Sequence, residues 1–140
     1  MIKAAALLTF LVLFLSIQAS TCEIKNYNQG ISSNFTYKNK QYKSFLPLEK
    51  ITSSSDFEIE TSQFPKSISE IIKIGKSIVN KVDSEIKWEV QTLGLYNYHY
   101  GNCKYWYYQI NYRGNNQYLY INIGLNGETP NLYRIDETPI

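Results

Sequence analysis

Between Ser67 and Leu125 the apolar residues change spacing once, and that change limits the folds open to the chain. Up to Ile86 they recur every third or fourth position. Ile68, Ile71, Ile72, Ile74, Gly75, Ile78, Val79, Val82 and Ile86 fall in one broad sector at about 100° per residue, while Lys73, Lys76, Ser77, Asn80, Lys81 and Asp83 fall outside it. Ser67-Ile68-Ser69-Glu70 is a capping box, in which hydroxyl and carboxylate each satisfy an orphan backbone donor, and Pro65 stands just upstream. The spacing predicts an amphipathic helix from Ser67 to Asp83, with Gly75 on the buried side where a missing side chain permits close approach to a strand.

Beyond the helix the period becomes two. Trp88, Val90, Leu93 and Leu95 mark a strand whose alternation slips by one residue near Gln91-Thr92, as a β-bulge produces. Trp106, Tyr108, Ile110 and Tyr112 alternate with Tyr105, Tyr107, Gln109 and Asn111, and Leu119, Ile121, Ile123 and Leu125 with Tyr118, Tyr120, Asn122 and Gly124. Arg113-Gly114-Asn115-Asn116 separates these two strands, and Asn126-Gly127 is a type I′ turn signal. A short strand from Asn131 to Ile135 would close the sheet as an edge, with Pro130 at its entrance. The predicted fold is a two-layer α+β domain: one amphipathic helix packed on an antiparallel β-meander of three to four strands.

Residues 22–63 read differently. They are rich in Asn, Lys, Ser and Tyr, with apolar residues only in short clusters such as Phe45-Leu46-Pro47-Leu48 and Phe57-Glu58-Ile59. The expectation is an irregular N-terminal arm, with one edge strand around Asp56 to Thr61 and a loop at Thr52-Ser53-Ser54-Ser55. Asn34-Phe35-Thr36 satisfies the glycosylation triplet. Residues 64–140 form the helix-plus-sheet domain.

Residues 1–21 have the layout of an export signal: Lys3, an uncharged apolar run from Ala4 to Ile17, then Gln18-Ala19-Ser20-Thr21. The run is short for a membrane span, which needs about 20 apolar residues. The expected location is secreted or periplasmic. Of the 14 basic residues only Lys3 leaves with the signal, and all 12 acids stay, so the formal charge falls from +2 to near +1. That balance provides no electrostatic footprint for nucleic acid.

Cys22 and Cys103 are the two thiols. In an exported chain an even count favours a disulfide between them. The competing reading makes Cys22 the first mature residue and lipid-modified, which would anchor the protein at the cell envelope, because Ala19-Ser20-Thr21-Cys22 loosely follows a lipoprotein cleavage box. Only in that reading does the protein meet a membrane.

The helix followed by Tyr107-Tyr108-Gln109-Ile110-Asn111-Tyr112, by Gln117 to Leu125 and by Asn126-Gly127-Glu128 resembles small exported domains of the PepSY and cystatin-like kind. The resemblance covers Ser67 to Ile135 and implies one helix lying across an antiparallel sheet. Gln91-Thr92-Leu93-Gly94-Leu95 departs from the cystatin Gln-x-Val-x-Gly wedge at its third and last positions, so the resemblance does not carry protease inhibition with it.

No motif for a reaction, metal or cofactor stands out. His99 and Cys103 are close in sequence, but a thiol nucleophile needs its base in hydrogen-bond reach, and sequence proximity does not provide that. One His and two distant Cys make no zinc ligand set. Glu58, Glu60, Glu85, Glu89 and Glu128 are scattered, whereas glycoside chemistry needs two carboxyls across one cleft. The unusual feature is aromatic: ten of the thirteen tyrosines lie between Tyr96 and Tyr133. With the helix over the Leu119/Ile121/Ile123 face, Tyr105, Tyr107, Tyr118 and Tyr120 share the other face, available for a protein or glycan partner. Tyrosine is also a good strand former, so a purely structural role competes. The expected function is a non-catalytic binding or regulatory module, with an envelope-anchored structural lipoprotein as the alternative.

Overall fold

Helix α1 (Ile68–Val82) starts where the capping box puts it. Ser67 Oγ accepts from the Glu70 amide at 3.2 Å and the Glu70 carboxylate accepts from the Ser67 amide at 2.8 Å. In this computed structural model, described for residues 28–51 and 57–135, the helix buries Ile71, Gly75, Ile78 and Val79. Strands β3 (Glu89–Tyr100), β4 (Cys103–Gly114) and β5 (Gln117–Gly124) pair antiparallel in sequence order beneath it. The register of β3 shifts between Val90 and Thr92, leaving Gln91 as the bulged residue that the broken alternation predicted. Tyr112 is fully buried and donates from Oη to the Ile72 carbonyl at 3.0 Å, pinning α1 to the sheet.

The two-layer α+β expectation is overturned: the fold is mostly β, two three-stranded antiparallel sheets and one helix. The second sheet comes from the segment expected to be irregular. Strands β1 (Gly30–Tyr37) and β2 (Lys40–Pro47) form a hairpin, followed by one 3₁₀ turn at Leu48–Lys50. Its two-residue turn is Lys38-Asn39, with φ of 48° and 60°, the type I′ geometry that matches strand twist. Strand β6 (Asn131–Arg134) is an edge strand as expected. It pairs with β2, so the order is β1-β2-β6, and does not extend the meander. The expected strand near Asp56 to Thr61 is absent from 57–61, where Thr61 and Ser62 both donate to the Glu58 carbonyl in a turn. Phe57 packs edge-on against Trp106 at 5.5 Å instead of entering a ladder. Asn126-Gly127 is not a type I′ turn either. Gly127 alone has positive φ (89°), and its amide bonds the Gly124 carbonyl, as in a type I turn with a glycine bulge.

Serine conceals the alternation of the hairpin. The inward residues are Ile31, Ser33, Phe35 and Tyr37 on β1 and Tyr42, Ser44 and Leu46 on β2, so a polar residue sits midway along each strand. Those serines mark a seam. Strand β1 lies against β5, where Asn122 Nδ2 donates to Ser33 Oγ at 2.9 Å and Gln109 Nε2 donates to both Ser33 Oγ and Asn122 Oδ1 at 3.2 Å. Apolar residues fall into two clusters. The larger joins α1 to Trp106, Ile110, Leu119, Ile121, Phe35 and Tyr37, and the smaller joins Ile31, Leu46, Leu48, Ile51, Cys103 and Tyr105.

Candidate functional site

The structure divides the four tyrosines expected on one open face. Tyr105 is 1% exposed, packed in the smaller cluster under Ile31, Leu46 and Leu48. Tyr107 is half-buried beneath Tyr96, whose ring stacks on it at 5.8 Å. Tyr118 and Tyr120 are exposed, and the Arg113 guanidinium lies 5.8 Å from the Tyr118 ring centroid. The corner holding Ile31, Leu46 and Leu48 covers the Tyr105 end of this face, which sequence reasoning could not foresee without the hairpin. Burial raises the hydroxyl pKa of both Tyr105 and Tyr107.

His99 and Cys103 do not form a pair. His99 is opposite Lys104 in the ladder and so shares a face with Trp106, while Cys103 shares the opposite face with Tyr105. Cys103 is 8% exposed and is not a free thiol. Cys22 and residues 1–21 lie outside the described residues, as do Asp56 and the loop at Thr52-Ser53-Ser54-Ser55. Among the described residues no helix is long and apolar enough to cross a membrane, and no group of three or more His, Cys, Asp or Glu is gathered to hold a metal.

A concave feature of the surface lies elsewhere among the described residues. A groove of about 560 Å³ runs between α1 and β6, floored by Ile78, Val82 and Leu132 and walled by Tyr42, Tyr133, Ser77, Asn131, Lys81 and Arg134. The volume is in the range of small-ligand sites. Pairing with β2 fixes one wall: Tyr42 stands opposite Arg134 and Lys43 opposite Tyr133. Lys50 Nζ donates to Asn131 Oδ1 at 3.1 Å, which orients that amide. Among the described residues, the lining contains two cationic side chains and two tyrosines, and no Asp, Glu, His or Cys. Its rings, hydroxyls and positive charge can bind and orient a ligand. The sequence signal for the groove was faint, since Lys81 and Ser77 read only as the solvated side of a helix.

A second polar constellation joins the two halves. Lys38 Nζ pairs with Asp83 Oδ2 at 2.7 Å, the Tyr37 hydroxyl donates to the same oxygen, and the Glu85 amide donates to Asp83 Oδ1 at 2.9 Å. Asp83 is the C-cap of α1, where the helix dipole disfavours an anion, and these three donors offset that. The hydrogen bond from Lys38, then those from Tyr37 and Glu85, lower the Asp83 pKa from 3.8 to about 2. Burial, then the Asp83 contact, raises Tyr37 above its ordinary 10.0, and the Asp83 contact raises Lys38 above 10.5. A carboxyl with a depressed folded-state pKa contributes stability that is complete above pH 3.8 and is lost as pH falls toward 2. Raised pKa values on Tyr37 and Lys38 act oppositely, contributing stability below pH 10 that fades as pH rises past their folded values. Asp83→Asn should therefore flatten the acid limb of a stability–pH profile between about pH 4 and 2. An unchanged acid limb in thermal melts would show that the cluster is not coupled to folding.

No family model, curated protein or solved structure matches the chain, so the likeness to PepSY and cystatin-like domains rests on the residues quoted for it.

Proposed function

We propose that the protein is an exported, non-catalytic binding module that holds an anionic segment of a glycan or protein partner in the groove between α1 and β6. The observation that carries this reading is the lining: Lys81 beside Tyr42 and Tyr133, over an apolar floor, with no carboxylate among the described residues that line it. Tyrosine rings supply flat contact area at low entropy cost, and cations select the sign of the partner. Export rests on the layout of residues 1–21, and Cys22 is proposed as the disulfide partner of Cys103.

Titration of the mature protein with a uronate oligosaccharide, an Asp/Glu-rich peptide and the neutral counterpart of each tests the site. Salt-sensitive binding of an anionic probe is expected, weakened about tenfold by Lys81→Ala or Tyr133→Ala with little change in melting temperature. Indifference of binding to both substitutions sinks the groove as the site. Loss of binding instead in Tyr118→Ser with Tyr120→Ser would move the site to the exposed tyrosines. Intact mass of the mature chain with and without reductant decides the fate of Cys22, an acylated N-terminus favouring the envelope-anchored alternative.

A further inference from the structure

The edges of the two sheets are treated differently. Strands β1 and β5, each at the border of its sheet, lie against one another, and β6 is four residues long and follows Pro130. Strand β3 is twelve residues long, and among the described residues nothing pairs with its outer side. Proteins usually blunt such an edge with lysine, proline or a bulge. Here the bulge at Gln91 protects only the start, and from Gln91 to Tyr98 the strand contains no charged residue and no proline.

The ladder fixes which backbone groups face outward. The two-residue turn Gly101-Asn102 makes Tyr100 and Cys103 a hydrogen-bonded pair, so Tyr98/Tyr105, Tyr96/Tyr107 and Gly94/Gln109 are bonded and the intervening pairs are not. The Trp106 carbonyl accordingly accepts from the Leu125 amide on the β5 side at 3.2 Å. Its cross-strand neighbour Asn97 must then turn its amide and carbonyl away from β4, as must Leu93, Leu95 and His99.

We infer that this edge pairs with the β3 edge of a second copy of the chain, antiparallel about a two-fold axis near Leu95. An antiparallel two-fold sets every outward donor opposite an outward acceptor of the same strand, so the edge is complementary to itself. About Leu95, Leu93 meets Asn97 of the other copy and Tyr96 meets Gly94, a residue whose added Cβ would already lie 2.6 Å from the Tyr96 ring of its own strand. The uncharged run brings no like charges together, and an anionic or cationic partner strand would find no counter-charge there. The result is a continuous six-stranded sheet, and the groove between α1 and β6 lies on the other sheet, so the two proposals are independent.

Sedimentation velocity of the mature protein from micromolar to millimolar concentration tests this. A concentration-dependent dimer is expected, with the amides of Leu95 and Asn97 protected from hydrogen exchange only at high concentration. Asn97→Lys puts a charge on the edge opposite Leu93 of the other copy, on each side of the two-fold, and Asn97→Pro removes an amide that the β3–β4 ladder does not use. Each should weaken dimerisation at least tenfold while leaving the monomer's circular dichroism unchanged. If Asn97→Pro fails to fold, Asn97→Lys alone decides. A wild-type protein that stays monomeric throughout, or an Asn97→Lys variant that dimerises as well as wild type, overturns the inference.

Discussion

Replacing Gly75 by alanine is expected to destabilise the protein by about 1–3 kcal/mol, although in an exposed helix the same change would stabilise by about 0.5–1 kcal/mol. The sign reverses because of Tyr112. An added Cβ would stand 2.3 Å from Tyr112 Oη and 3.0 Å from Ile110 Cδ1, and the tyrosine cannot swing aside, being fully buried with its hydroxyl bonded to the Ile72 carbonyl. Burial holds that hydroxyl's pKa up at about 12, so it stays a neutral donor across the working range. The methyl group therefore displaces the helix, or breaks the hydrogen bond at a further cost of about 1 kcal/mol. Tyr112→Phe removes the clashing oxygen, so the alanine penalty should shrink by about 1 kcal/mol or more in that background. Urea denaturation of the four proteins in this cycle measures it. Additive penalties, or a Gly75→Ala variant more stable than wild type, would mean that α1 does not sit this close to β4.

Where the chain obeys one period over a long run, sequence and structure agree. The capping box at Ser67, the Gly75 contact and the bulge at Gln91 were each legible because a local rule and the tertiary packing ask for the same residue. The hairpin at Gly30 to Pro47 was not legible, for two identifiable reasons. Its turn is Lys38-Asn39, which lacks the glycine that usually announces a type I′ geometry, and its inward positions include Ser33 and Ser44. Missing that hairpin misplaced the rest: β6 was assigned to the wrong sheet, and Tyr105 was expected in the open when the first hairpin covers it. The groove depends on β6 pairing with β2, so it was out of reach as well.

Asn122→Ala is expected to cost about 2–4 kcal/mol, because Asn122 is fully buried where the two sheets meet and serves both of its neighbours. Its amide donates to Ser33 Oγ and its carbonyl accepts from Gln109. Truncation deprives both partners and opens a void in a densely packed row. Ser44 Oγ, in register with Ser33, is buried with no hydrogen-bond partner among the described residues, so truncation at Asn122 adds to a polar group already left unsatisfied in the seam. The seam also explains why polar residues occupy the centre of inward faces. A slip of two residues between β1 and β2 would keep the same face inward but put Ile31 or Phe35 where Ser33 stands, leaving Asn122 and Gln109 facing an apolar side chain, so the network penalises that register more than it strengthens the right one. Ser33→Ala should cost about 1–2 kcal/mol alone, and the double variant less than the sum by about 1 kcal/mol, since both changes remove the same hydrogen bond. Strictly additive losses in denaturant titrations would mean that Ser33 and Asn122 act independently, and that the two sheets are aligned by apolar packing alone.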